Sequence, residues 1–307
     1  MTNVIGIDIG GTQVKIGVFD ASGGLLKKWS IPTNKADFGA YVLKEIYESI
    51  NQNVDLNTVV GYGFGVPGPV QGQVVLACVN IGWKMIDVKQ AFSKFVGDVL
   101  ITVDNDANLA ALGETRFGAG NNAANSVMFT LGTGVGGGVV IEGKLLKGAH
   151  GVAGEIGHMK IVEDGMLCNC QNTGCLETLA SATGIKALTL QALRSKHYQT
   201  ALSDQTTISA KEVFELAEKN DPLCAYVIDE VAYALAKAAQ ILSVIVDPEV
   251  FIFGGGISNA GMFLLDKITA YYQGMAFSAT SQAQFKLAKL GNDAGIYGAF
   301  QAVINHG

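Results

Sequence analysis

The chain carries one structural plan twice, and that repetition constrains its fold more than any other feature. Residues 4–20, VIGIDIGGTQVKIGVFD, read as an apolar strand, a glycine-threonine turn and a returning strand in which Val14, Ile16 and Val18 alternate. Residues 127–141, VMFTLGTGVGGGVVI, repeat the plan about 120 residues later. Two such hairpins imply a duplicated architecture of two domains, each opening on a hairpin whose turn faces the other across a cleft. Strands at VVGYGFGVPG, VLITVDND and VFIFGGGIS alternate with helical patterns near Phe38–Asn51, 107–118, Ala210–Lys219, Cys224–Val246 and 295–307. A short helix after residue 150 and a helical stretch from about Leu179 are also expected. Strands alternating with helices make this an α/β protein.

Gly132, Gly134 and Gly137 have the spacing of a dinucleotide fingerprint. That fingerprint requires the glycines to lead directly into a helix whose N-terminus faces the pyrophosphate. Here Gly138 is followed by VVIEGKLL, a β-branched run that reads as a strand, so a nicotinamide site is disfavoured. The remaining chemistry is that of bare backbone: glycine lets N–H groups approach an anion, and a threonine hydroxyl adds a donor. Three turns of this kind follow apolar strands: Gly10-Gly11-Thr12, Gly132-Thr133-Gly134 and Gly254-Gly255-Gly256. Each alone is equally well a tight hairpin turn, whereas the three together suit a nucleotide triphosphate. Asp8 ends the first strand, where a carboxylate either holds Mg²⁺ through water or accepts backbone hydrogen bonds. Neither P-loop spacing nor the protein-kinase catalytic-loop pattern occurs.

Composition narrows the partners. A chain of 307 residues that is 49% apolar supports two cored domains, and a net charge of −6 without a basic block argues against nucleic acid. MTNVIGID lacks the form of a signal peptide and no apolar run has membrane-spanning length, so a cytoplasmic protein without a membrane partner is expected. Of five cysteines, Cys168, Cys170 and Cys175 lie within eight residues. With His158 they offer three thiolates and an imidazole, the donors of a closed tetrahedral zinc site, although unliganded thiols fit the composition too.

Taken in order, DIGGTQVKIGVFD, GVPGPV, DNDANLAALGE, LGTGVGGG, GVAGEIGH, CNCQNTGCLE, VDPEVFIFGGGIS and LGNDAGIYGA resemble the motif set of the ROK family (repressors, open reading frames and kinases) over nearly the whole chain. VNIGWK and CLETLASATGI are most similar to the family's bacterial glucokinases. The resemblance implies a two-domain actin-like ATPase (ribonuclease H-like) fold. Its smaller domain would comprise 1–116 plus about 291–307, and its larger domain 117–290 with a zinc-binding loop.

The resemblance further implies ATP-dependent phosphoryl transfer to a hexose hydroxyl, with catalytic Mg²⁺ and structural Zn²⁺. Asp106 would be the general base, although a helix N-cap role for it and a competing role for Asp104 stay open on the sequence. The sugar contacts would be Asn80, Asn105, Asp106, Glu155, His158 and Glu177, and the zinc ligands His158, Cys168, Cys170 and Cys175. If one ring nitrogen of His158 holds zinc, the other can point at a sugar hydroxyl. Gln171 departs from the family's usual glycine. N-acetylmannosamine, fructose, allose or a β-glucoside are alternative acceptors to glucose. A DNA-binding repressor would carry a helix-turn-helix ahead of the first phosphate-loop strand, which here starts near residue 3. A homodimer is expected by the same resemblance.

Overall fold

The computed structural model describes residues 2–195, 197–202 and 208–306. In chain order, β1 (Asn3–Ile9) and β2 (Gln13–Asp20) form the first hairpin, followed by β3 (Leu25–Pro32), α1 (Val42–Asn53) and β4 (Val59–Val66). Three short strands come next, β5 (Val70–Gln71), β6 (Val74–Cys78) and β7 (Trp83–Asp87), then α2 (Val88–Val96), β8 (Leu100–Asn105) and α3 (Asp106–Phe117). The second hairpin is β9 (Ser126–Leu131) with β10 (Val135–Ile141), extended by β11 (Lys144–Leu145). Four helices follow, α4 (Glu177–Ala180), α5 (Ala182–Ser195), α6 (Ala210–Glu218) and α7 (Pro222–Val246). The chain ends with β12 (Val250–Gly254), α8 (Met262–Met275), β13 (Gln284–Leu287) and α9 (Ala294–Ile304).

Both hairpins form and the α/β class holds. The first sheet runs β3-β2-β1-β4-β8, and the second β11-β10-β9-β12-β13, with β5-β6-β7 as a separate small sheet. By contacts the chain divides into a first unit of Met1–Ala123, Gly138–Gly154 and Lys289–Gly307, and a second of Ala124–Gly137 and Glu155–Ala288. Residues 138–154, which the sequence expectation gives to the larger domain, thus cluster with the first unit. Among the described residues, no helix is long and apolar enough to cross a membrane.

In the first unit, strand alternation sorts β1 between two faces. Ile5, Ile7 and Ile9 enter the core that also holds Ile46 and Ile50 of α1 and Val88 and Phe92 of α2. On the other face lie Val4, Gly6 and Asp8. Gly6 pairs with Gly17 of β2 and with Gly63 of β4, so three glycines stand in one row across the sheet. Helix α9 lies in this groove so closely that a Cβ on Gly6 would meet the Ile296 carbonyl, and one on Gly63 the Ala299 carbonyl. Ile296, Phe300 and Val303 pack there against Val4 and Phe19. Each such buried side chain contributes about 2 kcal/mol. The α3–α9 crossing is equally bare, since a Cβ on Gly298 would collide with the Leu109 carbonyl and one on Gly113 with that of Ala294.

In the second unit, β9, β12 and β13 are parallel neighbours. The long helix α7 starts with Asp221 accepting from the N–H groups of Leu223 and Cys224, and with Pro222 in its first turn. Sequence reading leaves β3, α8 and β13 unassigned and takes the segment of α2 as extended. For β3 the reason is that an edge strand reading LLKKWSIP with no fully buried residue gives little apolar alternation. The helix expected from Phe38 begins only at Val42, because Asp37 and Phe38 have left-handed φ angles of 48° and 57°.

The glycine row gives a direct test. Gly63→Ala places a methyl against backbone that only a shift of α9 can relieve, with an expected loss of about 3 kcal/mol. Gly274→Ala in α8, where nothing lies within 4 Å, should be neutral or stabilising. Thermal unfolding of both variants checks the contrast.

Candidate active site and metal centre

In the first unit, β1 delivers Asp8 and then the turn Gly10-Gly11-Thr12. The turn is tied internally by Gly10 N–H donating to the Gln13 carbonyl at 2.9 Å. Externally, Thr33 Oγ1 donates to the Gly10 carbonyl at 2.7 Å and Thr33 N–H to that of Thr12 at 2.9 Å. Burial pushes the Asp8 carboxyl up, against the opposing pull of the Lys15 ammonium 3.6 Å away. The α9 backbone crowds this carboxylate: a Cβ on Gly295 would lie 2.7 Å from Asp8 Cγ. A carboxylate beside a bare glycine turn is a suitable oxygen donor toward a hydrated hard cation.

Asn80 belongs to the same neighbourhood, since a Cβ on Gly11 would lie 3.3 Å from Asn80 Cβ. It sits in the loop between β6 and β7, where Gly82 N–H donates to the Cys78 carbonyl at 2.8 Å. Burial raises the Cys78 thiol, and the charge of Asp106 adds to the effect.

The β8–α3 junction assigns separate tasks to three successive residues. Asp104 is 5% exposed; its Oδ2 lies 2.7 Å from Lys147 Nζ, and its Oδ1 accepts from Asn105 N–H and Asn108 Nδ2. Asn105 is the N-cap of α3, accepting from the N–H groups of Ala107 and Asn108, while its Nδ2 donates to the Gly68 carbonyl at 3.1 Å. The capping role considered for Asp106 therefore belongs to Asn105, and Asp106 is the first helical residue, half-buried. Lys147, which lies far from this junction in sequence, had no local signal.

In the second unit, the turn 132–134 is anchored through its carbonyls. Ala182 N–H donates to Gly132 at 2.8 Å and Thr183 Oγ1 to Thr133 at 3.2 Å. Gly255, at φ 88°, backs against Leu131 so tightly that a Cβ would meet the Leu131 backbone. Gly132, Thr133 and Gly256 consequently line one cavity of about 810 Å³, together with Lys211, Phe214 and Asn259. That volume suits a nucleotide-sized ligand. The last three residues are contributed by α6 and the turn after β12, and no motif flagged them.

Glu155 and His158 bracket a single 3-10 turn, Ile156–His158, in which positions three apart stack on one face. His158 Nδ1 lies 3.7 Å from Cys168 Sγ, and Cys170 Sγ lies 3.6 Å from Cys175 Sγ. All four ligand atoms fall within 4.8 Å of one another. Zn–S bonds of about 2.3 Å in a tetrahedron put sulfurs about 3.8 Å apart, so this donor set fits zinc. Burial pushes the Cys175 thiol up to about 12, whereas the Asn172 backbone N–H draws Cys170 down to about 7. Gln171 adopts φ 72°, the left-handed conformation glycine would take freely, and its N–H still closes on the Cys168 carbonyl at 2.9 Å. Glu177 Oε2 accepts from Val135 N–H at 3.0 Å, and Oε1 lies 3.9 Å from Cys168 Sγ. This residue therefore joins the cysteine cluster to the glycine turn.

The structure thus brings Asp8, Gly10–Thr12 and Asn80 together in the first unit, which also contains Asn105 and Asp106. The second unit holds the other two glycine turns, Glu155, Glu177 and the metal-ligand set. Strand-end glycine turns, a carboxylate at a strand-to-helix junction and a nucleotide-sized cavity suit a phosphotransferase that uses a nucleotide triphosphate. The sequence model of the ROK family matches residues 4–306, and the chain belongs to that family, with its actin-like ATPase fold. It is 40% identical to a glucokinase from Halalkalibacterium halodurans over 306 residues, 96% of this chain and 92% of that one. A crystal structure of a ROK family glucokinase from Streptomyces griseus, in complex with glucose and AMPPNP, aligns over 99% of both chains with a TM-score of 0.75 and 33% identity. The ROK hexokinase from Thermus thermophilus aligns over 100% of both chains with a TM-score of 0.86 and 29% identity.

The Asp104–Lys147 pair carries its own test. Lys147→Met leaves a buried carboxylate without its cation; because Lys147 is partly exposed, the expected loss is about 2 kcal/mol, below the range for fully buried pairs. Adding Asp104→Asn should recover part of that loss, which thermal unfolding of the double-mutant cycle measures.

Proposed function

We propose that the protein is an ATP-dependent hexose kinase that converts glucose to glucose 6-phosphate. The observation that carries the assignment of the base is the division of labour at the β8–α3 junction. With Asp104 paired to Lys147 and Asn105 capping α3, the two other roles open to this stretch are filled, which supports Asp106 as the catalytic carboxylate. The glucose and AMPPNP in the Streptomyces griseus relative support the substrate pair.

In this reading Asn80, Asn105, Glu155, His158 and Glu177 hydrogen-bond the sugar hydroxyls alongside Asp106. Asn105 and Glu177 already hold backbone partners, which fixes their orientation before sugar arrives. Asp106 takes the proton of the sugar 6-hydroxyl as its oxygen bonds the γ-phosphorus, and the bond from that phosphorus to the bridging oxygen breaks to release ADP. The turns Gly10–Thr12, Gly132–Gly134 and Gly254–Gly256 hold the phosphates through backbone N–H groups other than those of Gly10 and Gly132, which close the turns themselves, together with the Thr133 hydroxyl. When bound, Mg²⁺ supplies neutralising charge to the phosphates, with Asp8 as its acceptor through water. Zinc on His158, Cys168, Cys170 and Cys175 is structural: it fixes the loop that carries Glu177 against the turn that carries Glu155.

Asp106→Asn should lower kcat by about a thousandfold or more with a small change in glucose KM, measured by coupled ADP release. The same assay across glucose, fructose, allose, N-acetylmannosamine and a β-glucoside should give glucose the highest kcat/KM. A different best hexose would overturn the substrate assignment, and an unimpaired Asp106→Asn would overturn the base.

Cys170→Ser should lower zinc content, melting temperature and glucose affinity together, read by metal analysis, thermal unfolding and calorimetric titration. A zinc-free variant with intact glucose binding would refute the structural role.

A further inference from the structure

Asn80 rides on the smallest sheet of the molecule. Strands β5, β6 and β7 have 2, 5 and 5 residues, and a sheet of that size has little stability of its own. The loop that carries Asn80 must therefore be held from outside. Ile81 and Trp83, on either side of Gly82, are 2% and 3% exposed. Trp83 Nε1 donates to the Gly39 carbonyl at 3.0 Å, a bond spanning 44 positions.

The segment that accepts this bond is itself held in an unfavourable conformation. Asp37, Phe38 and Gly39 have consecutive φ angles of 48°, 57° and 71°. Left-handed backbone costs about 1 kcal/mol at each non-glycine residue and persists only where surroundings over-determine it. Phe38 supplies no burial to offset this, since it is 81% exposed. The over-determination comes from the Asn80 loop: a Cβ on Gly39 would collide with Ile81 Cγ2 and lie 2.7 Å from Trp83 Nε1, and a Cβ on Gly82 would lie 3.1 Å from Phe38 Cα. A cavity of about 570 Å³ borders both partners, lined by Asp37, Phe38, Gly39, Gly82, Trp83 and Lys84. Packing presses the two turns together, and the indole hydrogen bond adds the directional tie between them on the side that the cavity leaves open.

We propose that Trp83 is a positioning residue for the acceptor sugar: its N–H bond to Gly39 sets the Asn80 loop against the Gly10–Gly11 turn. The inference rests on the reading of Asn80 as a sugar contact. It predicts a defect that falls on sugar binding rather than nucleotide binding: the Gly10–Thr12 turn is held by Thr33 without help from Trp83, and the cavity lined by Gly132, Thr133 and Gly256 shares no residue with the clamp.

The test is steady-state kinetics of Trp83→Phe, and of a protein with 3-benzothienylalanine at position 83, where sulfur replaces the N–H within a ring of nearly the same shape. The second variant keeps the test informative if the phenylalanine protein fails to fold. Glucose KM should rise about tenfold with the ATP KM within twofold, as small misplacements of substrate-positioning groups produce. Glucose KM within twofold of wild type in the benzothienyl protein, or glucose and ATP KM rising together, would overturn the clamp. Wild-type protein without hexose turnover would instead overturn the functional reading, and the clamp with it.

Discussion

The seating of α9 on the glycine row is the contact on which the first unit depends. Gly17, Gly6 and Gly63 remove side chains from one line of the sheet, and Gly113 and Gly298 remove them from the α3–α9 crossing. Two helices and a sheet thereby meet through backbone at van der Waals distance. Close approach of this kind allows many small dispersion contacts and little adjustment, because no side chain is available to rotate away. The N-terminal end of α9 is brought to Asp8, and α3 is fixed with Asp106 at its start. Burial of Asp8, the cause of its raised affinity for protons, is a direct product of how deeply α9 sits.

Charge at this end of the sheet is managed by pairing carboxylates unequally. Asp104 is buried and receives an ammonium together with two N–H donors. Asp8 is nearly as enclosed but has its cation at 3.6 Å, a separation at which the ammonium offsets desolvation only in part. Glu114, with no exposure, is served by backbone: its carboxylate accepts from the N–H groups of Ala119, Lys289 and Leu290. Peptide donors, unlike the ammonium of a long side chain, cannot swing away and leave the carboxylate without partners. That suits a residue which ties the end of α3 both to the turn just after it and to the segment at Lys289–Leu290.

Legibility in the sequence followed the range of the interaction. Hairpins, glycine turns and the cysteine cluster are local patterns, and each formed where the residues placed it. Asn105 and Asp106 were legible as a pair, but which of them caps α3 depended on side-chain geometry that spacing does not encode. The glycine row was invisible because its members lie on three strands and acquire meaning only through register. Lys147 with Asp104, and Trp83 with Gly39, join residues more than forty positions apart, and neither half carries a signal alone. Gln171 shows the converse: a residue that breaks a family pattern still adopts the left-handed turn, because the cysteine loop closes through backbone bonds on either side of it.

Turns made of bare backbone face a structural problem that explains where their anchors come from. A loop that offers N–H groups to an anion must keep those groups unpaired, and glycine gives it no side chain with which to grip its surroundings. Only its carbonyls remain as handles, and those are what the rest of the protein holds. Thr33 donates to the Gly10 and Thr12 carbonyls, and Ala182 and Thr183 to those of Gly132 and Thr133. Each donor comes from another part of the chain, so these turns are gripped from outside through their carbonyls, while the Gly10 and Gly132 N–H groups close the turns internally on the Gln13 and Gly134 carbonyls. The residues that hold such turns therefore need never touch the ligand, and the glycines alone do not account for the geometry of the turns they form.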